Sequence, residues 1–184
     1  FGVGENGSER DVSGGGGGSR RSFGVSGAGF TDLDAILCSL FNGAHRADLT
    51  ELFKSSFFDD PRRDLPVFGP SGSGYFMPDT EDFLESLFGI EGAFRYLSAF
   101  LDDGRSNGYR LLPKVLDVTN HKTQPAFSNE RVTITAIAVH HGALPALAWR
   151  IELGGKSIVF SGDMNGYFET LHTPAKDIDI FFDQ

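Results

Sequence analysis

The stretch from Glu130 to Gly166, ERVTITAIAVHHGALPALAWRIELGGKSIVFSGDMNG, constrains the fold more than any other part of the chain. Its residues alternate apolar or β-branched with polar, the period of half-buried strands. Leu147, Trp149, Ile151 and Leu153 fall on one face, and Ala148, Arg150 and Glu152 on the other. Gly154-Gly155 separates two such runs and reads as a hairpin turn. YRLLPKVLDVT, from Tyr109, has the same texture, and AKDIDIFFDQ begins a further apolar strand. The second half of the chain is therefore β-rich.

The first half mixes strand and helix. LDAILCSL, from Leu33, suits a short buried strand, and DLPVFGPSGSG, from Asp64, reads as a strand ending in a Gly/Pro/Ser turn. HRADLTELFKSSFF, from His45, carries apolar residues at helical spacing. In MPDTEDFLESLFGIEGAF, Asp79 or Thr80 can cap a helix striped by Phe83, Leu84, Leu87 and Phe88, which Gly89 and Gly92 break. Residues 1–29 are dominated by Gly and Ser, and Gly14–Gly18 reads as a linker or a ligand-cradling turn. The organisation expected is a Gly/Ser-rich segment over 1–29 and one globular domain over 30–184. Consecutive strands flanked by helices, without strict βαβ alternation, point to packed sheets with helices outside, an α+β arrangement.

Bulk properties narrow the function. Eighteen Phe against one Trp imply a core of flat rings. A net charge of −9 argues against broad electrostatic binding of nucleic acid or an anionic membrane. The single cysteine, Cys38, forms no internal disulfide and fits a reducing, cytoplasmic setting. No run of 18 apolar residues is present, so no membrane span is expected.

Three places hold side chains suited to chemistry. His45 lies in a loop between a strand and a helix; His140 and His141 end a strand before what reads as a proline-containing turn; Asp163 follows a strand in Ser-Gly-Asp. Singly, each has a bland reading as a structural histidine or a turn former. In this order, along VHHGALPALAWRIELGGKSIVFSGDMNG and with LTELFKSSFFDDPRRDLPVFGPSG in support, they resemble the metallo-β-lactamase superfamily in its ribonuclease Z and phosphodiesterase-like branch.

The resemblance implies an αββα sandwich, shortened here at both ends, and a metal-dependent hydrolase. In the family, two ions, usually zinc, activate a hydroxide that attacks a phosphodiester or related ester. By this resemblance His141 matches the family's third-motif histidine, and Asp163 matches the bridging aspartate that positions the nucleophile. The hallmark His-x-His-x-Asp-His loop falls on Leu40 to His45, where Leu40, Asn42 and Ala44 stand in place of three ligands and His45 alone remains. What this leaves is one zinc at most, held by His45, His141 and Asp163, or none. The substrate expected is a small phosphodiester or ester, with no nucleic acid, no membrane and a homo-oligomer as the remaining option for partners. The alternative is a metal-free, inactive relative or engineered scaffold that keeps the fold for binding or oligomerisation. His121 and His172 read as surface residues.

Overall fold

The computed structural model describes residues 10–13, 30–42, 49–56, 63–102, 109–165 and 174–182. Nine strands, β1 (Arg10–Ser13), β2 (Leu33–Leu37), β3 (Leu65–Pro70), β4 (Leu111–Leu116), β5 (Gln124–Ser128), β6 (Val132–His141), β7 (Leu144–Leu153), β8 (Lys156–Phe160) and β9 (Ile180–Phe182), form two sheets among these residues. The first has order β1-β2-β3-β4 and is parallel throughout. The second has order β5-β6-β7-β8-β9, antiparallel up to β8, with β9 parallel to β8.

Parallel neighbours need a crossover connection, and helices supply it here. Helix α1 (Leu49–Ser55) lies between β2 and β3, and α2 (Thr80–Phe88) between β3 and β4. Asp79 caps α2 by accepting from the Asp82 N–H at 2.9 Å, and Gly89 ends it. Both caps are where the sequence places them.

The apolar pattern decides the layers. Leu49, Leu52 and Phe53 of α1 and Leu84 and Phe88 of α2 pack on Ile36, Val67 and Leu111 from one face of the parallel sheet. Ala35, Leu37 and Phe68, from its other face, meet Ile134, Leu147, Trp149 and Phe160 of the second sheet. All five residues of β2 are buried, as expected for a strand covered on both sides. The core is ring-rich: Phe53 packs edge-on against Phe88 at 5.5 Å, and Phe100 lies 5.2 Å from Tyr109. The described residues thus build helix, sheet and sheet of the α+β sandwich that the resemblance implied.

At the N-terminal end of β2, Asp34 is 5% exposed and pairs with Arg63 and, at 3.8 Å, with Arg131 beside β6. This links the two sheets. Burial raises the Asp34 carboxyl above the usual aspartate value, against the pull of Arg63.

Three features differ from the sequence reading. Arg10–Ser13, within the Gly/Ser-rich segment, forms a strand beside β2; its polar, four-residue sequence carries no strand period. β5 was equally hidden, because Gln124 and Pro125 open it and only Ala126 and Phe127 are apolar. Pro145 is not in a turn: it lies in β7, paired with His140, and the turn is Gly142-Ala143, with Gly142 at φ 64°. The expected Gly154-Gly155 hairpin is present, with both residues at positive φ (59° and 76°), the type I′ requirement. Gly14–Gly18 lies outside the described residues.

Candidate metal-dependent active site

Three chain segments meet at one corner of the sandwich. The first leaves β2: Cys38 N–H donates to the Phe68 carbonyl at 2.8 Å, and the Ser39 carbonyl accepts from the Leu147 N–H at 2.8 Å. This carries the segment from the parallel sheet to β7. The second is the end of β6, with His140 and His141. The third is the exit from β8, residues 161–165.

The exit segment is held at each step. Ser161 N–H donates to Phe182 of β9 at 2.9 Å, and Asn165 N–H to the His140 carbonyl at 2.8 Å. Gly162 has φ 62°, and a Cβ there would lie 2.6 Å from the Leu147 carbonyl oxygen and 3.1 Å from Ser39 Cβ. Only glycine fits this close approach. Asp163, next in the chain, is thereby presented beside His141.

His141 Nε2 stands 3.8 Å from Asp163 Oδ2, and both side chains are a quarter exposed. That separation is beyond a hydrogen bond. The other ring nitrogen, Nδ1, is buried with no hydrogen-bond partner. A buried ring nitrogen without a partner is costly in a partly desolvated site. Two ligands of one zinc, each about 2.0–2.2 Å from it, lie roughly 3.4 Å apart. The donor types and their spacing therefore fit a metal ion between Nε2 and Oδ2.

The donor number is smaller than a zinc site needs. Among the described residues no group of three His, Cys, Asp or Glu side chains is gathered. His45 and Ala44 lie outside the described residues. Leu40 is 1% exposed and packs with Ile137, Val139, Ala146, Ala148 and Met164 on the face of the second sheet away from Trp149. Its side chain is thus part of a closed apolar cluster at the site's edge. Asn42 is half-buried and engaged with other groups. His140 is exposed, with its carbonyl taken by Asn165. His121 is on the surface as expected, its Nδ1 3.0 Å from the Ala138 carbonyl oxygen, and His172 lies outside the described residues.

A separate cavity of about 440 Å³ opens at the far end of β7, by the Gly154-Gly155 turn. Its cations are already matched, Arg150 to Glu152 at 3.0 Å and Lys156 to Asp179 at 2.7 Å.

The architecture has close counterparts. The structure of YhfI from Bacillus subtilis, a metallo-β-lactamase fold protein, superposes with a TM-score of 0.65 at 17% identity, over 97% of this chain and 60% of that one. Ribonuclease Z of Mycobacterium bovis is 30% identical over 149 residues, 74% of this chain and 46% of the relative. The fold is that of the metallo-β-lactamases. Human tRNase Z, short form, matches with a TM-score of 0.64 at 15% identity, over 88% of this chain and 61% of that one. PqqB from Methylobacterium extorquens, solved in a Zn²⁺-bound form, gives 0.61 at 13% identity over 98% of this chain and 58% of its own. No family model matches the chain. The chain spans about half the length of the ribonuclease Z relatives it matches.

These relatives overturn one expectation. The acidic net charge was read as leaving nucleic acid out, yet proteins of this superfamily similar to the chain are named ribonuclease Z and tRNase Z. The inference failed for a physical reason. A net charge averages the whole surface, whereas nucleic acid is engaged locally, and here the sum runs over about half the relatives' length.

Proposed function

We propose that this chain carries the metal-binding corner of a phosphodiester hydrolase that acts on RNA, with His45, His141 and Asp163 as its metal-holding residues. The observation that carries the reading is the His141–Asp163 pair, 3.8 Å apart and brought together by three separately tethered segments. The similarity to ribonuclease Z supports RNA as the substrate class. Leu40, Asn42 and Ala44 at the other hallmark positions support a centre reduced to a single ion. The single cysteine, buried and in no disulfide, supports a cytoplasmic setting. No helix among the described residues is long and apolar enough to cross a membrane.

When bound, zinc would supply Lewis-acid activation of water and neutralise charge building on the phosphate. The remaining work belongs to the chain. His141 would offer Nε2 as a ligand. Asp163 would accept a hydrogen bond from the attacking water at its other carboxylate oxygen, aligning the water's lone pair with phosphorus. Attack forms a new P–O bond and breaks the bond to the leaving ribose oxygen, which takes up the proton that the water gives up. Gly162, seated against the Leu147 carbonyl and the Ser39 side chain, fixes where Asp163 stands.

The test is hydrolysis of bis-p-nitrophenyl phosphate and of a 3′-extended RNA, with zinc or manganese added, by the wild-type chain and by Asp163→Ala and His141→Ala. Turnover by the wild type that both variants lose supports the reading. Equal background rates in all three proteins sink it and leave the metal-free alternative.

A further inference from the structure

β6 runs past the start of its neighbour. Gln124, the first residue of β5, stands opposite Ala136, so β6 continues to His141 beyond it. Strand N–H and C=O groups alternate sides residue by residue, and the Val132 carbonyl accepts from Asn129 N–H on the β5 side at 3.0 Å. Ala138 and His140, in step with Val132, therefore turn their carbonyls to that same edge, about 7 Å apart. His121 takes the first, its Nδ1 3.0 Å from the Ala138 oxygen, and Asn165 N–H takes the second at 2.8 Å. Asn165 follows Asp163 by two residues, so the His121 imidazole stands alongside the segment that presents Asp163. We propose that His121 is the general acid that protonates the leaving ribose oxygen, an inference that rests on the function proposed above.

The hydrogen bond decides which nitrogen moves the proton. A carbonyl oxygen only accepts, so Nδ1 carries a hydrogen whether the ring is neutral or charged. Nε2 is then the nitrogen that gains and loses a proton. The residue is exposed, and Nε2 has no partner among the described residues.

The loop between β4 and β5 fixes the ring in place. Val118 N–H donates to Ser71 Oγ at 3.1 Å, and Asp117 N–H to Gln124 Oε1 at 3.1 Å. Thr119 donates to Asp117 Oδ1 from both its N–H, at 2.8 Å, and its hydroxyl, at 2.6 Å. Lys122 N–H donates to Asn120 Oδ1 at 3.1 Å. These bonds tie the loop to itself, to β5 and to the segment leaving β3, and none of them uses Nε2.

The chemistry calls for a group on a different segment from Asp163. Attacking and leaving oxygens stand roughly in line across phosphorus, so the group that orients the water is on the wrong side to serve the leaving oxygen. His121 comes from the β4–β5 loop and meets the corner from the β5 edge of β6. The step balances. The water oxygen bonds to phosphorus, and the P–O bond to ribose breaks with its electron pair on the ribose oxygen. Nε2 gives that oxygen a proton, and the proton released by the water restores Nε2.

The experiment compares two leaving groups in wild type, His121→Asn and His140→Ala, with zinc or manganese added. His121→Asn keeps an N–H for the Ala138 carbonyl and lacks Nε2. A 3′-extended RNA expels a ribose alkoxide, which needs a proton, whereas bis-p-nitrophenyl phosphate expels a nitrophenolate, which is stable without one. We expect His121→Asn to lose about 10²- to 10⁴-fold in RNA turnover but less than about tenfold on bis-p-nitrophenyl phosphate. His140→Ala should keep the wild-type ratio of the two rates. A His121→Asn variant whose two rates fall together, or do not fall, overturns the acid and leaves His121 as a fastener of the β6 edge. A ratio that falls in His140→Ala instead overturns it too, and assigns the proton to that ring. Wild type that cleaves bis-p-nitrophenyl phosphate but not RNA removes the acid and keeps the hydrolase; wild type that cleaves neither removes both.

Discussion

Replacing Gly162 with alanine tests how the corner is assembled. Two costs combine there. At φ 62° a side chain enters the left-handed region, which costs about 1–2 kcal/mol for an ordinary L-residue. The new methyl would also lie 2.6 Å from the Leu147 carbonyl oxygen and 3.1 Å from Ser39 Cβ. Both neighbours are held by the Leu147–Ser39 hydrogen bond, so relief requires β7 and the β2 exit to part, an overpacking cost of about 1–3 kcal/mol. The sum is about 2–5 kcal/mol, or roughly 4–20 °C in Tm for a domain of this size. Gly155→Ala is the matched control, because Gly155 has φ 76° but nothing within 4 Å of its Cβ position. It should lose only the backbone share, about 1–2 kcal/mol. Urea unfolding at neutral pH measures both, and zinc titration of the folded proteins reads the site. The expected outcome is a larger stability loss for Gly162→Ala, with zinc affinity weakened only there. Equal losses in the two variants would refute the close approach as the device that positions Asp163.

Other substitutions probe the surroundings. Leu40→Ala should destabilise by about 2–5 kcal/mol in urea, since Leu40 fills an apolar cluster, and should leave zinc affinity at the wild-type value. Lys156 and its hydrogen bond hold the Asp179 carboxyl below 3.8, while Asp179 holds the Lys156 amine above 10.5. The stability these two groups contribute is therefore lost as pH falls through the lowered Asp179 value, or rises through the raised Lys156 value, and Asp179→Asn should flatten both limbs of a Tm–pH curve. Asp34 acts in the opposite sense. Its raised value means the stability linked to its protonation is greatest below 3.8 and is lost as pH rises through the folded-state value, a slope that Asp34→Asn removes. Tyr109→Phe should cost about 1 kcal/mol, because the buried Ser56–Tyr109 hydroxyl contact at 2.6 Å is lost while Ser56 keeps its bond to the Phe53 carbonyl.

The β6–β7–β8 meander was legible because each strand has one buried face, and a period of two marks that face directly, as at Leu147, Trp149 and Ile151. The caps of α2 were legible for a similar reason: Asp79 and Gly89 do local work that their side chains advertise. β1 and β5 were not, since their pairing is set by neighbours rather than by their own apolar content. The parallel order of the first sheet was hidden too, because strands buried on both faces, such as β2, read as apolar runs without direction. At the site, His141 and Asp163 could be named from the sequence, but their tethers could not. Ser39 acts through a carbonyl and Gly162 through the lack of a Cβ, and neither function leaves a side-chain signature beyond a glycine next to an aspartate. His45 lies outside the described residues, so the three-donor set rests on the sequence for that member.

The most direct measurement of the central claim is a zinc titration of the apo chain by calorimetry, run beside His45→Ala, His141→Ala and Asp163→Ala. The account predicts about one zinc per wild-type chain and loss of that binding in each variant. A wild-type chain that takes up no zinc, or variants that bind it as tightly as wild type, would contradict it.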